Sequence, residues 1–316
     1  MDWLRKLIGL LLILSAAALA LSRAPDWPVQ ALVARWAPAP SDFVEIKGQL
    51  VHLRDEGPRD DPLPIVLVHG TSASLHTWEG WVRALKGQRR VITFDLPGFG
   101  LTGPFAGQYT PDDYRGDTYA RFVLDLLDAL KIDRVVLGGN SLGGEVAWRT
   151  AYAAPQRVAA LVLVDAAGPA FTPIDIPLGF RLARVPVLNR LSEWTLPRPL
   201  VEQSVASVYG DPSKVTPALV DRYFELTLRE GNRRALRLRM QGLVNGEHAE
   251  RIATLKQPTL ILWGGRDRLI PPATGQLFKQ QIAGSQLVIF EELGHVPQEE
   301  DPARTVAPVK VFLGLK

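Results

Sequence analysis

A serine between closely spaced glycines marks the first place where this sequence could carry out chemistry. Ser141 stands in the run Gly139-Asn140-Ser141-Leu142-Gly143, which has the form G-x-S-x-G. A Val/Leu-rich stretch typical of a buried strand precedes the run, and a stretch with helical spacing follows it. A tight turn from strand to helix needs small residues two positions either side of the serine, and it presents the hydroxyl as a nucleophile. The alternative is a glycine-rich turn with an incidental serine.

A serine hydroxyl is a weak nucleophile, so it needs a base. Among the five histidines, His295 both follows Ser141 in the chain and lies in a loop after the last predicted strand, in "EELGHVPQEEDP". We expect His295 to be the general base, the alternative being a solvated loop histidine. His69, at the end of the strand before "GTSAS", is expected to be a structural member of that turn.

The base needs an acid that orients it. Asp267 directly follows the predicted strand in "LILWGGRDRLIP", which gives the chain order Ser, Asp, His. Asp165, at the end of the strand "LVLVDAAG", is a rival that could reach the same space. Asp95 in "FDLPGFG" also ends a strand, but its early place in the chain favours a structural loop anchor.

Acyl transfer also needs N–H donors for the negative oxygen that forms during the reaction. The N–H of Leu142, directly after the nucleophile, is the first expected donor. The second is expected from Thr71 in "HGTSAS", where Gly70 allows the backbone to turn inward.

Strands and helices alternate from residue 43 onward, and the strands are continuous apolar runs, as in a parallel sheet covered on both faces. A hairpin is expected around Lys47-Gly48. The alternation stops at Gly168 and resumes at "PTLILWGG", which indicates an all-helical cap inserted after the sixth strand, over the edge where ligands bind. The predicted parts are a leader (1–22), a tether (23–42), an α/β core (43–168 and 251–316) and the helical cap (169–250).

The leader has Arg5 and Lys6 ahead of an apolar run from Leu7 to Leu21. This layout is typical of a signal sequence or a retained membrane anchor, with the body on the extracytoplasmic side. The alternative is an N-terminal helix packed on a soluble body.

Composition narrows the function classes. The chain has 316 residues, of which 47% are hydrophobic and 22% charged, enough for a sizeable core. Its net charge of +3 and the lack of a dominant basic run argue against nucleic acid as a partner. With no cysteine, thiol nucleophiles, thiolate metal sites and disulfides are excluded. The oligomeric state stays open.

The cap carries two groups of arginines. Arg181, Arg184 and Arg190 could bind a substrate carboxylate, or they could lie in solvent. The stretch "REGNRRALRLRM" (229–240) is expected to be a solvated helix face, the alternative being contact with anionic lipid.

Five stretches in register resemble the α/β-hydrolase family over residues 43–316: "LVHGTSAS", "DLPGFGLTG", "GGNSLGGE", "GGRDRLIP" and "ELGHVPQEEDP". The resemblance implies a mostly parallel eight-stranded sheet with helices on both faces, a helical cap, no metal and no organic cofactor. The elbow "GNSLGG" is similar to that of the carbon–carbon hydrolases of ring-fission products. Those enzymes typically have a glycine-rich oxyanion turn and a tryptophan after the catalytic histidine, whereas this chain has Thr71-Ser72-Ala73 and Val296.

The leading hypothesis is therefore a serine hydrolase of carboxylic esters, thioesters or lactones that acts on a small, apolar molecule. The first alternative is a carbon–carbon bond hydrolase, which would share the triad. The second, from another class, is a membrane-anchored binding protein that kept the fold and lost catalysis.

Overall fold

One sheet organises the chain. The computed structural model describes residues 2–185, 190 and 192–316. Eight strands lie in the order β1-β2-β4-β3-β5-β6-β7-β8. The strands from β4 across to β8 run parallel, and β1 and β2 are antiparallel to their neighbours. Their bounds are β1 Ser41–Ile46, β2 Gln49–Glu56, β3 Ile65–Val68, β4 Val91–Phe94, β5 Val135–Asn140, β6 Val158–Val164, β7 Thr259–Gly264 and β8 Gln286–Phe290.

Helices cover both faces of the sheet, as the continuous apolar strands predict. The helices with described bounds are α1 (Asp2–Leu21), α2 (Val29–Trp36), α3 (Glu79–Leu85), α4 (Gly116–Ala129), α5 (Leu142–Ala153), α6 (Leu178–Arg184), α7 (Arg198–Ala206), α8 (Pro217–Thr227), α9 (Asn232–Gln241), α10 (Pro272–Gln281), α11 (Pro297–Glu300) and α12 (Pro302–Phe312). In β3, Val66 and Val68 pack with α4, α5 and α10, whereas Ile65 and Leu67 pack with α3 and α12. The sheet is therefore the middle of three layers.

The predicted hairpin and cap are both confirmed. Lys47 and Gly48 make the turn between β1 and β2, each with a positive φ, of 52° and 83°. Helices α6 to α9 lie between β6 and β7, and the described residues of 169–250 contain no strand. The helical insertion thus follows the sixth strand.

The segment before the core is more ordered than a free tether. Within 23–42, helix α2 buries Leu32 against the core residue Leu101 and Leu226 of α8. The indole of Trp36 donates to Glu225 Oε2 at 2.7 Å. The predicted tether is thus packed on the cap, because one apolar side of this short helix finds an apolar partner there.

Helix α1 exposes large apolar side chains along its length, among them Trp3, Leu11, Leu12 and Ile13. In the part of the chain that the structure describes, no helix combines the length and the apolar character needed to cross a bilayer.

Candidate active site

Ser141 lies at a strained turn between β5 and α5. Its φ of 57° and ψ of −117° are unusual for a residue with a side chain, and such a conformation costs about 1–3 kcal/mol. The flanking glycines are required by space: a Cβ on Gly139 would lie 2.1 Å from the Gly143 carbonyl oxygen, and one on Gly143 would lie 2.0 Å from that of Val68. The G-x-S-x-G run therefore forms the elbow that its spacing predicts.

Two backbone segments approach the serine, as expected for oxyanion donors. Leu142 is the first residue of α5, so its N–H is among those that have no partner within the helix. A Cβ on Gly70 would lie 3.1 Å from Ser141 Cβ, so the turn after β3 runs directly beside the nucleophile. Thr71 lines the same cavity as Ser141.

His69 shapes this turn and is not among the residues that line the cavity. Its Nδ1 donates to the Gly70 carbonyl at 2.7 Å, and its Nε2 accepts the Leu96 N–H at 2.9 Å. Burial lowers the pKa of His69, although Asp95 acts against that shift. The ring is thus a neutral structural link, as predicted.

The predicted base and acid are hydrogen-bonded to each other. His295 Nδ1 lies 2.6 Å from Asp267 Oδ2. The other carboxylate oxygen of Asp267 accepts the N–H groups of Leu269 at 2.8 Å and Ile270 at 2.9 Å. With Nδ1 engaged, Nε2 is the ring nitrogen left to take a proton, and His295 lines the same cavity as Ser141.

Asn140 is a residue of the elbow that sequence reasoning left unexplained. Its amide donates to the His295 carbonyl at 2.9 Å and to the Val164 carbonyl at 3.2 Å. It is 1% exposed. The elbow is thereby tied to the loop that carries the base. The sequence did contain a signal for this role. Asn140 is polar, although it stands just before the nucleophile at a position where a buried strand usually has an apolar side chain.

Glu300 supports the same loop from the other side. One of its carboxylate oxygens, Oε2, accepts the N–H of Gly294 at 2.9 Å and that of Gly210, in the cap, at 2.9 Å. The His295 N–H in turn donates to the cap carbonyl of Val208 at 2.8 Å. The histidine loop is therefore held jointly by the core and the cap.

A cavity of about 470 Å³ lies between the elbow and the cap. Besides the catalytic candidates, its lining is mostly apolar and comes largely from the cap, with Phe171, Phe180, Leu200, Val205 and Met240 as examples. Such a cavity suits an apolar small molecule.

The arginines of 229–240 behave differently from a solvated helix face. Arg233 and Arg239 are each 4% exposed. Arg233 pairs with Asp26 at 2.6 Å, and Arg239 pairs with Glu145 at 2.7 Å. The expected solvated face is wrong for these two, because carboxylates from distant parts of the chain compensate their burial.

Where their side chains are described, the arginines that could bind a substrate carboxylate give no support to such a site. Arg181 and Arg190 are exposed and do not line the cavity. The side chain of Arg184 lies outside the described part of the chain. Arg237, which does line the cavity, pairs with Glu193.

The two rival acids have different surroundings. Asp165 is buried beside the pair: one oxygen each from Asp165 and Asp267 and one ring nitrogen of His295 lie within 4.8 Å of one another. Among the described residues, this cluster has mutual distances that would suit a metal, but Asp267 and His295 are already bonded to each other. Asp95 accepts the N–H groups of Leu75 and Leu101, which makes it the predicted loop anchor.

Comparison with known proteins agrees with this geometry. The profile of the alpha/beta hydrolase fold matches residues 64–302. A 2-hydroxymuconate semialdehyde hydrolase of Pseudomonas sp. (strain CF600) is 29% identical over 287 residues, which cover 87% of this chain and 96% of that protein. Lipase 1 of Psychrobacter immobilis is 30% identical over 264 residues, 79% of this chain and 76% of the lipase.

Among solved structures, a membrane phospholipase A described as a bacterial virulence factor superposes with a TM-score of 0.70 at 25% identity. The match covers 98% of each chain, including the segment before the core. The relatives thus include both carbon–carbon hydrolases and lipases. The chain belongs to the alpha/beta hydrolase fold family, as its five motifs predict.

Proposed function

We propose that the protein is a serine hydrolase that cleaves carboxylic esters, thioesters or lactones. Ser141 is the nucleophile, His295 the base and Asp267 the acid that orients the base. One observation carries the proposal: Ser141 and His295 line a single apolar cavity, while the Nδ1 of His295 is held at 2.6 Å by Asp267. This is the arrangement that acyl transfer by serine requires.

The proposed mechanism has two halves. Ser141 Oγ attacks the acyl carbon as its proton passes to His295 Nε2, and the N–H groups of Leu142 and Thr71 stabilise the oxyanion. His295 then gives the proton to the leaving alcohol or thiol, which leaves an acyl group on Ser141. A water then attacks the acyl carbon as its proton passes to His295. His295 returns that proton to Ser141 Oγ as the bond to the serine breaks, which releases the acid and regenerates the serine. Asp267 stays ionised throughout and keeps the proton of the ring on Nδ1.

The cavity favours an ester over a carbon–carbon bond of an anionic ring-fission product. Its walls are mostly apolar, and among the side chains that the structure describes, each of the three arginines that line it is paired with a carboxylate of the protein. A substrate carboxylate would have to compete with these ion pairs, whereas an apolar acyl chain needs no such exchange. Likeness to lipases supports the same choice.

A side-by-side assay tests the substrate class. p-Nitrophenyl esters of increasing acyl length and a vinylogous diketone acid would be offered to the same preparation at equal concentrations. We expect ester turnover to exceed dienone cleavage, with a preference for acyl chains that fill the cavity. Faster dienone cleavage would favour the carbon–carbon alternative. No turnover of either substrate, together with a Ser141 that does not react with a fluorophosphonate probe, would favour the binding-protein alternative.

We further propose that α1 attaches the enzyme to a membrane, with the body on the extracytoplasmic side. Exposed apolar side chains along α1 and the basic pair Arg5 and Lys6 support this attachment, as does likeness to a membrane phospholipase A over the whole chain. We expect the full-length protein in the membrane fraction and a variant lacking residues 2–21 in the soluble fraction. Full-length protein in the cytosol would overturn the attachment.

A further inference from the structure

A second buried carboxyl group lies beside the proposed catalytic acid. Asp165 follows β6 and Asp267 follows β7, so the two side chains meet at the same edge of the sheet. They are 0% and 1% exposed. His295 bonds to Asp267, and the proposed mechanism leaves Asp165 without a role.

The hydrogen bonds of the two carboxyl groups are unequal. Asp267 accepts from three donors: the N–H groups of Leu269 and Ile270, and the His295 ring. Asp165 Oδ1 accepts one, the Gly264 N–H at 2.9 Å, while its Oδ2 is buried and has no donor. A buried carboxylate oxygen without a donor is costly, whereas a protonated oxygen becomes a donor itself.

The charges around Asp165 also favour the neutral form. Burial raises the pKa of Asp165 well above its usual range, and the neighbouring Asp267 raises it further. Glu300 adds a smaller effect of the same sign, and His295 is the remaining titratable group of this cluster. Two adjacent buried carboxyl groups do not both ionise readily, and the one with three donors is the better holder of the charge.

The backbone of Asp165 is strained. Asp165 has a φ of 44°, in the left-handed region that residues with a side chain seldom adopt. Its N–H donates to the Leu262 carbonyl at 3.0 Å, which fixes the turn after β6. Strain of this kind, about 1–3 kcal/mol, concentrates at functional sites.

We propose that Asp165 is a positioning residue of the triad, a neutral carboxylic acid that donates a hydrogen bond to the Asp267 carboxylate. The pair then carries a single negative charge, on the member that faces His295. The bond fixes the plane of the Asp267 carboxylate, and through it the orientation of the imidazole. This inference rests on the proposed function for its effect on turnover, but not for the protonation of Asp165.

The first test compares Asp165→Asn with Asp165→Ala in the full-length protein, by the pH profile of kcat/KM for an ester. Asparagine is neutral and can donate from its amide, so we expect kcat within about twofold of wild type and an unmoved acid limb. Alanine removes the donor, so we expect kcat to fall about tenfold with little change in KM. The acid limb of Asp165→Ala should move to higher pH, because the Asp267 charge is no longer shared.

Two results would overturn the proposal. If Asp165 were ionised, Asp165→Asn would remove a negative charge close to His295, and the acid limb would move to lower pH by about one unit or more. If Asp165 were only a packing residue, folded Asp165→Ala would keep both the wild-type kcat and the wild-type acid limb.

A second measurement does not need turnover. Carbon-13 NMR of wild-type protein labelled at the aspartate carboxyls, titrated through neutral pH, should show one carboxyl that stays protonated. Its signal should be absent from whichever Asp165 variant folds. Full ionisation of every aspartate at neutral pH would overturn the inference even in an active esterase. A protonated Asp165 in a protein without esterase activity would instead overturn the proposed function alone.

Discussion

Two serine–histidine–aspartate arrangements occur in the part of the chain that the structure describes, and one of them is structural. In the active-site candidate, His295 bonds to Asp267 at 2.6 Å. On the β1–β2 hairpin, His52 Nδ1 lies 2.7 Å from Asp95 Oδ2, and His52 Nε2 lies 2.9 Å from Ser41 Oγ. The second arrangement therefore has the hydrogen-bond chain of a triad.

The surroundings distinguish the two arrangements. Ser41 begins a regular strand, and its hydroxyl also accepts from Arg54 Nε at 2.9 Å. None of the hairpin residues is among those that line the cavity. Ser141, in contrast, has a strained backbone, the start of a helix behind it and the cavity in front. A hydrogen-bond chain is thus not sufficient for a nucleophile, which also needs oxyanion donors and space for an acyl group.

The two aspartates also have different partners. Asp95 is fully buried and accepts from Leu75, Leu101 and His52, which joins the hairpin to two loops of the core. Burial alone would raise the pKa of Asp95, but His52 beside it brings the pKa well below its usual range. The hairpin arrangement therefore stabilises the fold through an ionised anchor.

The largest expected difference is between the two serines. Ser141→Ala should lower kcat/KM for an ester by at least about 10⁴-fold, because no other group attacks the acyl carbon. Ser41→Ala is the matched control and should stay within about twofold of wild type. Hydrolysis rates of p-nitrophenyl esters measure both. Equal losses in the two variants would remove the distinction between the arrangements.

The aspartates should separate activity from stability. Asp267→Asn should lower kcat by about 10²–10⁴-fold, because the imidazole loses its orienting anion. Asp95→Asn should keep kcat in the folded protein but lower the free energy of unfolding by about 1–3 kcal/mol. Ester kinetics and urea unfolding at the same pH measure the two effects. A large loss of kcat in stable, folded Asp95→Asn would contradict the structural role.

A smaller effect is expected at the link between the elbow and the histidine loop. Asn140→Ala removes the bond to the His295 carbonyl, so the base is held less well and kcat should fall about tenfold. Asn140→Asp is a useful comparison, because its carboxylate cannot donate to that carbonyl and should not restore activity. Measuring kcat at saturating ester concentrations would check this. An unchanged kcat in Asn140→Ala would show that the link does not position His295.

The last prediction concerns how the stability of the region around the β1–β2 hairpin depends on pH. His76, beside His52, donates from Nε2 to the Trp36 carbonyl at 2.8 Å. Burial lowers its pKa from 6.5 to about 4. As the pH falls, the unfolded chain therefore binds a proton at His76 before the folded chain does. The contribution of His76 to the free energy of unfolding is complete above pH 6.5 and is lost as the pH falls toward 4.

We expect the free energy of unfolding to fall by about 1–3 kcal/mol between pH 7 and pH 4.5 from this residue. His76→Gln should remove that share of the loss while keeping a donor for Trp36. Urea titrations of both proteins at the two pH values measure it. Identical pH dependence in the two proteins would mean that His76 is not buried in its neutral form.

Local rules explain what the sequence predicts well. The strands follow from continuous apolar runs, and the elbow follows from glycines whose Cβ atoms would overlap backbone. His295 and Asp267 could be chosen because each lies in the loop that follows a strand of the same sheet. Where a single position and its neighbours decide the geometry, the sequence is enough to predict the local structure.

Contacts between distant residues explain what the sequence does not predict. Asn140 and His295 are 155 residues apart, and Arg239 and Glu145 are 94 apart. No periodicity marks such partners, because they meet through the fold rather than along the chain. For the same reason, the sequence does not predict the hairpin arrangement of Ser41, His52 and Asp95 or the packing of α2 on the cap.

One measurement tests the central claim most directly. Wild-type protein would be reacted with a fluorophosphonate probe, digested and mapped by mass spectrometry, with Ser141→Ala and Ser41→Ala treated in parallel. The account predicts the label on Ser141, full labelling of Ser41→Ala and no label on Ser141→Ala. Label on Ser41, or undiminished labelling of Ser141→Ala, would contradict it.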